Sequence, residues 1–298
     1  MAQMNWMTWL LASAVVLAVY DLLKKESVRG NAVLPVLIIS TAAGASAYVG
    51  ALAAAGHLRG AFAACDQAVV ALSVVKTVIV GTSWILTFLA LRTLPITIAT
   101  PIRASAPALV IMLAYFIYGE HPTAVQWCGM SLVFVGFFAF SWAGRAEGVD
   151  FLRNRAVYFA VGGMVLSACS ALFDKYVFQV AAAPKESVQL LFQLFNFLFY
   201  VTIWSVCRLV RPASGVPFVW RKTIPFVGIC LAFADWLYFH ALACPDALIS
   251  VGSLLRRFSV AITFFIGAFV FRERNLRRKT IALTLVLGGT LVLCLRGF

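Results

Sequence analysis

Apolar stretches of roughly 20 residues, separated by short charged or Pro/Gly-bearing breaks, fill this 298-residue chain from end to end. That is the length a helix needs to cross the hydrocarbon core of a bilayer. The pattern predicts ten spanning helices, at Met4–Leu23, Ala32–Ala55, Ala68–Leu91, Ile96–Tyr118, Ala124–Ala143, Ala156–Val180, Val188–Leu209, Thr223–Ala243, Leu248–Phe271 and Thr280–Leu295. The least marked breaks are Leu94-Pro95, between the third and fourth, and Cys244-Pro245, between the eighth and ninth.

The pattern repeats at an offset of 153: Asp21 falls on Asp174, Arg103 on Arg256, Glu120 on Glu273 and Gly136 on Gly289. Phe88–Leu91 (FLAL) matches Phe239–Leu242 (FHAL) at an offset of 151. The chain therefore divides into two five-helix repeats, 1–149 and 150–298. An odd number of helices per repeat turns the second upside down in the bilayer. Inverted repeats of this kind place a substrate site near the midplane, between the halves.

Composition agrees with lipid as the main solvent. Hydrophobic residues make up 63% of the chain, charged residues 12%, and the mean hydropathy is +0.96. A soluble domain carries about twice that share of charge. The net charge of +13 does not point to nucleic acid, because most of the basic residues sit in short loops between apolar runs. Sixteen Lys and Arg, from Lys24, Lys25 and Arg29 to Arg277, Arg278 and Lys279, follow odd-numbered helices, against three (Arg59, Lys185, Arg296) elsewhere outside the spans. The positive-inside rule then puts those loops in the cytoplasm and both termini outside, in a plasma membrane of bacterial inner-membrane type. Seven scattered cysteines with no C-x-x-C or Cys/His cluster give neither a metal site nor a disulfide framework, and no cofactor is expected. The first helix lacks a basic leader and a clear cleavage site, so it is expected to be retained.

The charges inside the apolar stretches carry the chemistry. Arg103 and the pair Arg256-Arg257 lie near mid-span of the fourth and ninth helices. A guanidinium stays protonated and is costly at that depth unless it lines a polar cavity. Pro107 deprives the Arg103 carbonyl of its helical donor, and Pro101 does the same to Thr97, which describes either a site lining or a simple kink. Lys76 heads a polar face with Ser83 and Thr87, either lining the cavity or reaching for the interface. Gln189, Gln193, Asn196 and Tyr200 form a stripe on the seventh helix, for interhelix adhesion or substrate contact. Asp174 and Asp235 are the carboxylates available to the arginines, and Tyr238 shares the face of Asp235. Trp84, Trp236 and Tyr238 are candidate cavity walls. Glu120 and Glu273 read as packing or capping groups, His240 as structural, and Gly44, Ser46, Gly50 and Ala54 as a close-packing run on the second helix.

Ala90–Pro122, from ALRTLP to YGEHP, and Ala241–Asn275, from ALACPDALIS to FRERN, each precede a Gly-bearing helix. In these segments the chain resembles the drug/metabolite transporter superfamily, and within it the EamA-type ten-helix members. The resemblance implies an all-α membrane carrier with a central cavity and alternating access. Arg103 and Arg256-Arg257 also stand where the triose-phosphate/phosphate translocators hold phosphate with a basic residue on helix 4 and a Lys-Arg pair on helix 9. Arginine replaces lysine at two of those three positions, keeping the charge and changing the donor geometry.

The expected function is secondary transport of a small organic anion, a phosphorylated or carboxylated metabolite, by a monomer or homodimer embedded in lipid. The expected contacts are Arg103, Arg256, Arg257, Lys76, Thr87, Trp84, Asp235, Tyr238, Gln193 and Asn196. The alternative is export of amino acids or other neutral or zwitterionic metabolites, with the arginines neutralised by Asp174 and Asp235. An enzyme acting on lipid phosphates would need an intramembrane His/Asp/Glu constellation, and none stands out.

Overall fold

A computed structural model describes residues 6–106, 108–109, 112–113, 116, 123–145, 153–177, 181–210, 216–242, 249–271 and 276–294. Among the described residues every regular element is helical and none is a strand. The helices are α1 (Trp6–Val28), α2 (Val33–Ala54), α3 (Leu58–Ala63), α4 (Gln67–Thr93), α5 (Ile96–Ala104), α6 (Ala124–Arg145), α7 (Arg155–Lys175), α8 (Lys185–Val210), α9 (Thr223–Leu242), α10 (Ile249–Val270) and α11 (Leu276–Cys294). The described residues between 106 and 116 are helical too. Five of the helices, α1, α2, α4, α7 and α8, are long and apolar enough over their described residues to cross a membrane, with shorter apolar stretches in α6, α9 and α10.

The boundaries follow local chemistry. Asp66 caps α4 by accepting the Val69 N–H at 2.7 Å, and Asn154 caps α7 by accepting that of Ala156 at 2.9 Å. α4 stops at Leu94, which is extended (ψ 145°) because Pro95 follows it, and Pro95 then opens α5. α2 ends on Gly56 (φ +75°), whose left-handed backbone lets the His57 N–H reach the Leu52 carbonyl at 3.0 Å. The short α3 lies in a connection that carries no apolar run of spanning length. Ser187, in the first turn of α8, ties it down by donating to the Ala61 carbonyl at 2.8 Å.

Two expectations about extent need correction. α1 continues to Val28 rather than stopping at Leu23, so Lys24 and Lys25 are buried helix residues instead of wet loop charges. Lys279 is likewise buried, in α11. All three had counted toward the positive loops. They find partners inside: Lys24 on Asp21, Lys25 on the Leu91 and Leu94 carbonyls at the end of α4, and Lys279 on Thr97 at 2.7 Å. The fourth predicted span is interrupted at Ser105, one residue beyond α5, as the donorless Pro107 leads one to expect; Pro107 itself lies outside the described residues.

α1 packs on α9 and α10, α4 on α7 and α8, α2 on α8 and α9, α6 on α11, and α5 on α7 and α10. The main core gathers Tyr20, Leu37, Phe88, Ile98, Tyr200, Phe264 and Val286 around these crossings. The close approach expected of the α2 small-residue run is made at Gly44, where α9 presents Gly228, and not at Gly50, which faces open space. Gly136 and Gly289 both lie in the α6–α11 crossing, each against backbone of the other helix.

The segment after α8 is held by one buried amide. Asn31 donates from Nδ2 to the Val219 carbonyl (2.7 Å) and the Ser27 carbonyl (3.0 Å), while its Oδ1 accepts the N–H groups of Val219 and Ala32. Arg221 adds a bond to the Arg29 carbonyl at 2.8 Å. Asn31→Ala strands these backbone groups, so it should cost about 2–3 kcal/mol. The check is a lower unfolding midpoint, together with faster tryptic cleavage at Arg221 or Lys222 in the folded protein.

Candidate functional site

Arg103 occupies the last turn of α5, and its side chain reaches α1. Its Nη1 donates to Asp21 Oδ1 at 2.9 Å and its Nη2 to Asp21 Oδ2, a two-pronged grip on a carboxylate. Asp21 also accepts from Lys24 Nζ at 2.8 Å, one turn along α1. The Lys24 ammonium lies 4.4 Å from the centre of the Tyr20 ring and 5.7 Å from that of Phe88. Asp21 is therefore a carboxylate shared by two cations. The Asp21 and Lys24 side chains are 2% exposed and that of Arg103 is 27% exposed, so the guanidinium is the member open to a ligand.

That opening is a narrow cleft between α1, α4, α5 and α7. Asp21 and Arg103 supply its charges, Thr87 a hydroxyl, and Ala90, Leu91, Ile96, Ala99, Ala160 and Met164 its apolar walls. A second narrow cleft lies between α1, α2, α4, α8 and α9. Tyr20, Trp84 and Phe88 form its aromatic side, and Ser40, Thr41 and Gln193 its polar side. Trp84 is set edge-on to Phe192, with the ring centres 6.1 Å apart.

Of the other candidates, Thr87 lines the first cleft and Trp84 and Gln193 the second. Lys76 pairs with Asp174 of α7 and lies 5.2 Å from the centre of the Phe192 ring. Eleven residues separate Lys76 from Thr87, so the two charged clusters lie about 16 Å apart along α4. Ser83 donates to the Gly163 carbonyl at 2.7 Å, which makes it a tie between α4 and α7. Asn196 is fully buried, with Nδ2 on the Phe192 carbonyl of its own helix, and Tyr200 donates to the Gly81 carbonyl at 3.2 Å. The α8 stripe thus acts partly as adhesion, while Gln193 reaches the second cleft. Asp235 and Tyr238 are half-buried on α9, and the Asp235 carboxylate is within electrostatic reach of Tyr20 and Asp174. Trp236 stacks on Phe233 and meets Trp9 on an exposed face, away from both clefts. Arg256 and Arg257 sit on α10, but their side chains lie outside the described residues, as do Glu120, Glu273 and His240.

Residues 4–142 match the EamA-like transporter family. The matched segment runs from α1 to α6, and this likeness, with the five long apolar helices, indicates an integral membrane protein and points to transport of small metabolites rather than to enzymatic chemistry. One solved crystal structure, 15% identical in sequence, superposes with a TM-score of 0.61 over 95% of this chain and 98% of its own. At that identity the likeness shows the fold alone. No curated protein sequence matches the chain. Arg103, Asp21 and Lys24 all belong to the EamA-like segment. Sequence reasoning used Asp21 only as a repeat marker and left Lys24 among the loop charges. The signal it passed over was an Asp followed by Lys at i+3, at the end of an apolar run.

Proposed function

We propose that this chain is a secondary carrier of a small organic anion, phosphorylated or carboxylated, working by alternating access in a bacterial inner membrane with both termini outside. The observation that carries the reading is the Arg103 fork, open to a cleft and already shaped around a carboxylate. The surrounding charge agrees with it. Lys24, Lys25 and Lys279 are buried near the α4–α5 junction, beside the part-exposed Arg103.

The proposed frame is two inverted five-helix repeats, 1–149 and 150–298. The helix neighbours support it, because exchanging each spanning helix for its counterpart five spans away turns one pairing into another. The α1–α9 pairing becomes α7–α4, α1–α10 becomes α7–α5, and α2–α9 becomes α8–α4. Gly136 and Gly289, equivalent by the 153 offset, each pack against the opposite helix in the self-paired α6–α11 crossing. Thr87, Trp84 and Gln193 are proposed to line the substrate path with Arg103. Arg256 and Arg257 would supply the matching charge from the second repeat, with Lys76, Asn196, Asp235 and Tyr238 contributing in other states of the cycle.

The test is thermal stabilisation of purified protein by pyruvate, 2-oxoglutarate, glycerol 3-phosphate and inorganic phosphate. At least one should raise the unfolding midpoint. Arg103→Ala should abolish the rise and Arg103→Lys should keep only part of it, since an ammonium cannot grip with two parallel donors. A response that survives Arg103→Ala unchanged removes the anion site. The second reading, export of amino acids, draws on Asp21 standing beside Arg103, since the two could share a zwitterion. Stabilisation by amino acids and by none of the four anions would favour it.

A further inference from the structure

The end-on pair of donors on Arg103 is already taken. Nη1 and Nη2 each hold one oxygen of Asp21, so an anion that takes this same end-on grip must displace Asp21 from it. Asp21 has somewhere else to go, because Lys24 holds its Oδ1 at 2.8 Å from the next turn of the same helix. Lys24 in turn keeps the Tyr20 and Phe88 rings whether or not Asp21 is shared. Two charge states are thus built into one cluster. Without ligand, one carboxylate serves both cations. With ligand, Arg103 takes the incoming anion and Asp21 stays with Lys24, so each cation has an anion of its own.

From this we infer that Asp21 is a built-in stand-in for the substrate anion, which lets the empty carrier complete its cycle, so that the protein performs net transport rather than obligatory exchange. The inference rests on the anion-carrier reading above and adds the mode of transport. An empty carrier is trapped when reorientation would carry an unpaired guanidinium through a low-dielectric passage. Here the guanidinium is never bare, because Asp21 returns to it as the substrate leaves. The grip itself ties α1 to α5, since Asp21 lies on the one and Arg103 on the other.

The test uses the full chain in liposomes loaded with whichever of the four labelled anions gives Arg103-dependent stabilisation. Efflux is measured into anion-free buffer and into buffer containing the same anion unlabelled. The native protein should empty the vesicles in both buffers. Asp21→Asn, which keeps an acceptor for Lys24 but removes the charge, should lower the ratio of net efflux to exchange by about tenfold or more. It should also lower the half-saturating anion concentration by about tenfold, because the internal competitor is gone.

Native protein that exchanges but gives no net efflux overturns the inference while leaving the anion carrier standing, and that measurement needs no variant. An Asp21→Asn protein with an unchanged ratio, or one that loses both fluxes in parallel with no tightening of binding, also overturns it, since a merely structural Asp21 would behave that way. If none of the four anions stabilises in an Arg103-dependent manner, the carrier reading itself fails and this inference with it.

Discussion

Replacing Gly228 with alanine should be the most damaging single methyl addition in the described part of the molecule. An ideal Cβ at this position lies 1.7 Å from the Ser40 carbonyl oxygen, 2.7 Å from its carbon and 2.8 Å from the Gly44 nitrogen. All three are backbone atoms of α2, so no side chain can swing aside and the two helices must separate. Small residues at such crossings let backbones touch, and without a hydrophobic drive between helices in lipid the contact itself supplies much of the adhesion. The expected cost is about 3 kcal/mol or more, at the upper end of overpacking effects. Gly44→Ala meets the Gly228 carbonyl at 2.9 Å and should cost less, while Gly50→Ala meets nothing within 4 Å and should be near neutral. Unfolding midpoints of the three variants in detergent give the ranking, and a Gly228→Ala protein as stable as Gly50→Ala would contradict the crossing. Because Gly44 and Gly228 also border the aromatic cleft, any surviving Gly228→Ala protein should show altered ligand stabilisation.

The expectation for Gly44 came from the sequence, but its partner did not. A run of small residues reports that a helix can be approached closely, not by what, and Gly50 belongs to the same run yet faces open space. The same asymmetry runs through the charges. Arg103 was legible because a guanidinium in mid-span has no cheap explanation. Asp21 was not, because a carboxylate near the end of an apolar stretch looks the same whether it is wet or locked to an arginine 82 residues away. Lys24 and Lys25 followed from that error. Hydropathy ends a span at the first run of charges, whereas the helix continues another turn and buries those charges on Asp21 and on the carbonyls left open at the end of α4. Pro95 worked in the opposite direction. A weak break in hydropathy proved a sharp break in structure, because proline forces the preceding residue out of the helical region. Short α3 carried no signal that a search for spanning lengths registers.

Asp21 should also prove more important to folding than Arg103, although the two are partners. Removing one member of a buried ion pair costs about 3–5 kcal/mol, because the survivor keeps its desolvation penalty without its compensation. Asp21→Ala strands two cations at once, Arg103 and the fully buried Lys24, and belongs at the top of that range. Arg103→Ala leaves Asp21 with Lys24 at 2.8 Å and removes the member most open to the cleft. Its cost should be closer to that of losing charged hydrogen bonds, about 1.5–3 kcal/mol. The double variant should be no worse than Asp21→Ala alone, since the stranded guanidinium is gone, and the cycle should return a coupling of about 1–3 kcal/mol. Asp21→Asn should fall between native and alanine because it retains an acceptor for Lys24. Unfolding midpoints for the four proteins decide the point. If Arg103→Ala matches Asp21→Ala in cost, the carboxylate is not shared, Lys24 cannot hold it when a ligand arrives, and the exchange of partners that would free Arg103 for an incoming anion has no structural basis.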